Sequence, residues 1–142
     1  MSQGNAKLIG SWKLVSFVGE MKDSTEQTYP WGANPNGYLV IASDGRMIAV
    51  LTAKERKAGT TDAEQAALLR TMSAYTGHYR IEGDRFITKV EASWNEAWNG
   101  TEQERFFKID GDRLELAMAW APHPTMPGGP VVRGILTWMR EA

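Results

Sequence analysis

The sequence predicts an all-β fold: an antiparallel up-and-down barrel of about eight strands, with one helix between strands three and four. Three observations carry this reading. Apolar and polar residues alternate through run after run of the chain. Three tight turns, Ser43-Asp44-Gly45-Arg46, Glu82-Gly83-Asp84-Arg85 and Asp110-Gly111-Asp112-Arg113, separate such runs. In each, Gly beside Asp supplies the positive φ that a short hairpin loop requires. Tight turns then alternate with long connections, which sorts the two kinds of loop to opposite ends of an up-and-down barrel.

The alternating runs place strands near 11–19, 37–43, 46–52, 75–82, 85–94, 102–110, 113–120 and 131–140. Between the third and fourth, Thr61-Asp62-Ala63-Glu64 has the spacing of a capping box. Ala66, Leu69 and Met72 follow at helical period, so a helix is expected over 62–74. A meander of strands removes its exposed edges by closing on itself. Tight turns follow strands two, four and six. Long segments, 20–36, 53–74, 95–101 and 121–130, follow the odd strands. The long-loop end carries Tyr29, Trp31, Trp98, His123 and Met126, with Trp94 and Trp120 at neighbouring strand ends. That end is the expected mouth, with 20–36 as a partial lid.

Opposed residues across a hairpin share a face. A two-residue loop at Gly83-Asp84 pairs Ile81 with Phe86, Tyr79 with Thr88 and Gly77 with Val90. The same rule at Gly111-Asp112 pairs Ile109 with Leu114, Phe107 with Leu116 and Arg105 with Met118. These mostly apolar sets are assigned to the interior. For strands two and three the inward set is Tyr38, Val40, Ala42, Met47, Ala49 and Leu51. Their other face, Leu39, Ile41, Ile48 and Val50, is apolar as well and calls for a cover. Either the 62–74 helix supplies it, or a homodimer forms through strands two and three.

Composition limits the function classes. The 142 residues carry a net charge of −1, 42% hydrophobic residues, 6 Trp and no Cys. One domain over 1–142 is expected, with 1–7 a flexible polar N-terminus. A near-neutral charge gives no support for a nucleic-acid surface, and no apolar run reaches the length of a membrane span. Without Cys there is no disulfide framework, and without an apolar leader the expected location is cytoplasmic.

The motifs of several chemistries are missing. His78 and His123 are the 2 histidines, and no paired metal-ligand spacing exists, so no metal is expected. No phosphate loop or dinucleotide turn points to a cofactor. His78 could act as a general base, but its parity opposes Tyr79 and turns it outward. Lys89 and Glu91 share one strand face and read first as a solvated outer surface. No catalytic residue is assigned. Arg105 is the informative charge: inward by parity, it calls for a counter-charge. A carboxylate, enolate or other anionic ligand group could supply that, or an internal partner such as Glu104 or Tyr79. Trp94 and Trp120 read as aromatic walls of a pocket or as core filling. The expected ligand-binding set is Tyr38, Tyr79, Trp94, Arg105, Met118 and Trp120.

Gly10-Ser11-Trp12 has the G-x-W form that opens strand one of lipocalins and related barrels. More closely, the chain resembles the small bacterial and fungal lipocalin-like domain family. The matching segments are Leu8 to Phe17, Tyr29-Pro30-Trp31-Gly32 through Gly37-Tyr38, Ser43 to Met47, Tyr75 to Tyr79, and Phe107 to Leu114. The resemblance covers nearly all of 8–140 and implies a calycin-type barrel with a small-molecule pocket. It also implies a structural closure in which Trp12 seals the narrow end under Arg140. Set beside secreted lipocalins, the chain is expected to lack their signal peptide, disulfide, T-D-Y motif and terminal helix. The expected function is therefore intracellular binding of a small hydrophobic or aromatic, anionic-capable molecule, more a binding module than an enzyme. The alternatives are an isomerase or cyclase using the same pocket, and a filled barrel acting as a dimeric interaction protein.

Overall fold

Alternation and turn chemistry produce ten strands in the computed structural model, which describes residues 3–122 and 128–141. A short helix α1 (Gln3–Leu8) precedes β1 (Gly10–Met21) and a two-residue β2 (Gln27–Thr28). Next come β3 (Asn36–Ile41), β4 (Arg46–Thr52), helix α2 (Asp62–Arg70), β5 (Met72–Glu82) and β6 (Arg85–Ser93). A 3₁₀ turn at Glu96–Trp98 leads to β7 (Glu102–Asp110) and β8 (Arg113–Ala117). The chain ends with β9 (Ala121–Pro122) and β10 (Val131–Arg140). The order β1-β3-β4-β5-β6-β7-β8-β10 closes through antiparallel pairing of β10 with β1, giving an eight-stranded barrel. The short β2 and β9 are appended to β1 and β10.

Two details differ from the sequence expectation. The helix stands between β4 and β5 rather than between the third and fourth strands, because β2 enters the chain order ahead of it. Its last residue is Arg70, and Met72 already belongs to β5. A short helix, α1, occupies Gln3–Leu8 ahead of β1.

The closed end shows why the first strand opens on glycine. Trp12 is 0% exposed, and its indole N–H donates to the Leu8 carbonyl at 3.0 Å. The Arg140 guanidinium lies 4.2 Å over that ring. It also donates to the Lys7 and Ile9 carbonyls and to Asp112 in the β7–β8 turn. Every acceptor is therefore at the barrel bottom. Gly10 has φ +142°, and a Cβ there would come within 2.7 Å of Arg140 Nη1. Gly10→Ala is expected to cost about 2 kcal/mol, from backbone strain plus displacement of the guanidinium. A thermal melt would register that as a drop of several degrees, and an unchanged melt would show that the arginine has room to shift.

The turn lengths decide which side chains face in. Gly83 (φ +62°) and Gly111 (φ +58°) each begin a two-residue loop, and both hairpins keep the register Ile81↔Phe86 and Ile109↔Leu114. Around Gly45 (φ +96°) the loop has three residues, Ser43, Asp44 and Gly45, so Ile41 pairs with Met47. The extra residue reverses the parity of β3 against the expected one. Leu39 and Ile41 are buried, whereas Tyr38 and Val40 point outward. The inward assignment holds on β4, where Met47, Ala49 and Leu51 are buried. The exposed apolar strip therefore consists of Val15, Tyr38, Val40, Ile48 and Val50. Helix α2 does not cover it: the strip stays exposed, none of the helix is buried, and Leu69 and Arg70 stand at the mouth of the cavity.

Elsewhere the outer wall is laced with ion pairs. Arg80 holds Glu82 and Glu102, Arg85 holds Glu82 and Glu104, and Arg46 and His78 share Glu91. Outward-facing Ile87, paired with Arg80 and Glu104, is 3% exposed beneath these long side chains. Glu91 is the extra residue of a bulge: Thr76 pairs with Ala92 and Gly77 with Val90. Hydrogen bonding to Arg46 holds the Glu91 carboxyl below its usual range.

Candidate ligand cavity

Above the packed lower core the barrel is hollow. A cavity of about 610 Å³ opens at the long-loop end, walled by inward residues of the strands and by the loops that follow them. Its aromatic wall is built from one connection. Asn95 caps the 3₁₀ turn by accepting from the Ala97 N–H at 3.1 Å, and the turn swings Trp98 inward. Trp98 meets Trp94 edge-on, with centroids 4.7 Å apart, and Tyr75 at 5.3 Å. Such edge-to-face contacts add to simple burial and hold the rings in one orientation. Across the mouth, Trp31 packs edge-on against Phe17 at 5.4 Å. The Trp31 carbonyl is tied to Lys54 N–H at 3.2 Å.

Helix α2 sets the rim. Its capping box is complete, with Glu64 N–H donating to Thr61 Oγ1 and Thr61 N–H donating to Glu64 Oε1, both at 3.1 Å. The Thr61 N–H, and after it the Thr61 hydroxyl, donate to the Glu64 carboxylate and hold it below its usual range. At the other end Arg56 Nη2 donates to the Leu68 carbonyl at 2.8 Å, satisfying a terminal acceptor of the helix. The helix thus presents Leu69 and Arg70 to the opening.

Arg105 on β7 is the buried cation of the cavity wall, 8% exposed. Its Nη1 donates to the Glu104 carbonyl at 2.8 Å, and its guanidinium lies 5.9 Å from the Trp98 ring. Neither internal partner suggested by the sequence neutralises it. The Glu104 carboxylate faces out to Arg85 at 2.8 Å, and the Tyr79 hydroxyl donates to the Ala42 carbonyl at 2.8 Å. Among the described residues no carboxylate lies within ion-pair distance of Arg105.

The other expected ligand residues divide. Trp94 and Met118 line the same cavity as Arg105. Tyr79 sits lower, stacked on Phe86 at 4.9 Å, outside the lining; burial, then the Asp44 charge, push its phenol above the usual range. Trp120 is 37% exposed and lies against the Arg133 guanidinium at 4.4 Å, away from this cavity. Tyr38 is on the outer face, its hydroxyl accepting from Lys13 at 3.0 Å, because the β3 register turned it out. His78 is also outside, 2.7 Å from Glu91. His123 and Met126 lie outside the described residues. Phe17, Trp31, Tyr75 and Trp98 line the cavity without having been in the expected set. For Trp31 and Trp98 the signal was available: both are large aromatics in connections assigned to the mouth. Among the described residues no cluster of three or more His, Asp or Glu could hold a metal ion. No helix among them is long and apolar enough to cross a membrane.

A closed antiparallel barrel, sealed below by an indole under a guanidinium and opening above into an aromatic-walled cavity, defines the lipocalin-like class. The chain belongs to the family described as Lipocalin-like domain, whose model matches residues 9–141. It is similar to the 4'-hydroxy-3'-methoxypropiophenone carrier protein of Aspergillus oryzae, with 36% identity over 88 residues, covering 56% of this chain and 77% of the relative. Among solved structures it is similar to an uncharacterized protein from Bacteroides eggerthii. That match has a TM-score of 0.46 and 12% identity, and covers 94% of this chain and 98% of the other.

Proposed function

We propose that the barrel binds a small aromatic molecule whose acceptor oxygen, a carboxylate, phenolate or carbonyl, is received by Arg105. The position of that arginine carries the reading. A guanidinium buried beside the Trp98 ring is costly without a counter-charge, and both internal candidates are committed elsewhere. A ligand oxygen supplies the missing acceptor, and the planar fork suits a carboxylate in bidentate geometry. The walls fit the rest of such a molecule, since Trp94, Trp98 and Trp31 offer ring faces and edges. A relative named as a carrier of a hydroxylated, methoxylated aryl ketone supports the same ligand chemistry.

Titration of the intrinsic tryptophan fluorescence with 4'-hydroxy-3'-methoxypropiophenone and with vanillate tests it. Saturable quenching is expected, together with one added ligand mass per chain by native mass spectrometry. Linear quenching with no added mass for either compound would sink the proposal.

A further inference from the structure

Beside the main cavity lies a further, half-open space of about 430 Å³. It forms because a strap, residues 22–35 with β2 in it, folds back over the end of β1, pairing Thr28 with Gly19 and Gln27 with Glu20. Met21 and Gly19 from β1, Pro30 from the strap, and Val132 and Gly134 from β10 make its walls almost wholly apolar. Glu20 and Arg133, paired at 2.8 Å, stand on its margin.

Phe17, Trp31 and Met118 belong to the walls of both spaces. They come from β1, from the strap and from the end of β8, so the shared boundary is assembled from three separate parts of the chain. Phe17 and Met118 settle onto the bare backbone of Gly134, where a Cβ would come within 2.8 Å of one ring and 3.2 Å of the Met118 sulfur. An unbranched thioether can change rotamer at little cost, and the Phe17–Trp31 contact is a single edge-to-face pair. The strap itself is held by a two-residue ladder, by Lys22 N–H on the Val131 carbonyl and by Lys54 N–H on the Trp31 carbonyl.

We infer that the side space is a second subsite, which takes an unbranched alkyl or acyl arm of a ligand whose aromatic head lies in the main cavity. The chemistry of the lining selects that arm: it is apolar on every side but the margin, and its one ion pair is already satisfied internally. The inference rests on the proposed head-group site and adds to it a ligand of two parts. Swinging Met118 and Phe17 aside joins the spaces without moving a strand.

The test uses para-hydroxyphenyl alkyl ketones, from propionyl to decanoyl, with binding read by tryptophan fluorescence. Wild-type affinity should rise about fourfold per added methylene, as for a chain leaving water, until the side space is full. Val132→Phe fills that space without touching the main lining. It should leave propionyl binding within about twofold of wild type while erasing the gain of the octanoyl compound, a loss of about a thousandfold when all five added methylenes leave water in wild type. Met21→Phe fills the same space from the other strand and should give the same split if the first variant does not fold. Equal wild-type affinity for short and long chains overturns the second subsite and leaves the main cavity standing. So does a chain-length gain that persists in the filled variants, or an equal loss for every chain. Failure of both short and long compounds to bind wild type overturns the main-cavity reading as well.

Discussion

Trp12→Ala is expected to lower the unfolding free energy by about 3–5 kcal/mol, the range for deleting a fully enclosed large aromatic. The indole fills the barrel bottom with no exposed surface, so its loss leaves a cavity that strands paired on both sides cannot collapse to fill. Two polar penalties add to the cavity. The Leu8 carbonyl loses its 3.0 Å donor, and the Arg140 guanidinium loses the ring beneath it, a contact worth about 0.5–2 kcal/mol. Small domains have about 5–15 kcal/mol in total, so the urea midpoint should fall steeply at unchanged slope. Trp12→Phe, which keeps most of the volume but no N–H, should fall between. A midpoint unmoved by the alanine variant would show that the barrel bottom does not depend on this closure.

Arg105→Met should separate ligand recognition from stability. Vanillate should bind about 10–100-fold more weakly, corresponding to the 1.5–3 kcal/mol of a hydrogen bond to a charged group. Guaiacol, which lacks the carboxylate, should lose less than about threefold, because the methionine preserves apolar contact. The variant should melt at the wild-type temperature or above it. Replacing a buried cation that has no carboxylate partner among the described residues with an apolar chain of similar length removes a desolvation cost that outweighs the one donor lost by the Glu104 carbonyl. Equal losses for the two compounds would take Arg105 out of the recognition site. A marked fall in melting temperature would assign it to the fold instead.

The two-residue hairpins were legible because Gly83 and Gly111 open their loops at positive φ and fix the register locally. The loop at Ser43-Asp44-Gly45 was misread because its glycine comes last, the mark of a three-residue loop, and a one-residue slip exchanges the faces of a strand. That slip moved Tyr38 from the expected site to the outer wall and brought Leu39 inside. The helix start was legible in its capping box, but its placement was not. A stripe of Ala66, Leu69 and Met72 suggested a packed face, yet none of the helix is buried, and it stands at the rim.

By itself the sequence determined the eight barrel strands, the tight turns and the separation of a closed end from an open one, which follow from interactions within a few residues or from the alternation of a meander. The pairing of Trp12 with Arg140 was implied by the resemblance to lipocalin-like barrels. Only the tertiary structure decided that Glu104 turns to Arg85 and Tyr79 to Ala42, leaving Arg105 facing the cavity. It alone placed Phe17, Trp31 and Met118 in the walls of two neighbouring spaces. The reason is that hydrogen-bond partners and shared walls are settled by which groups meet across the barrel, and residues far apart in the chain meet only after it has closed.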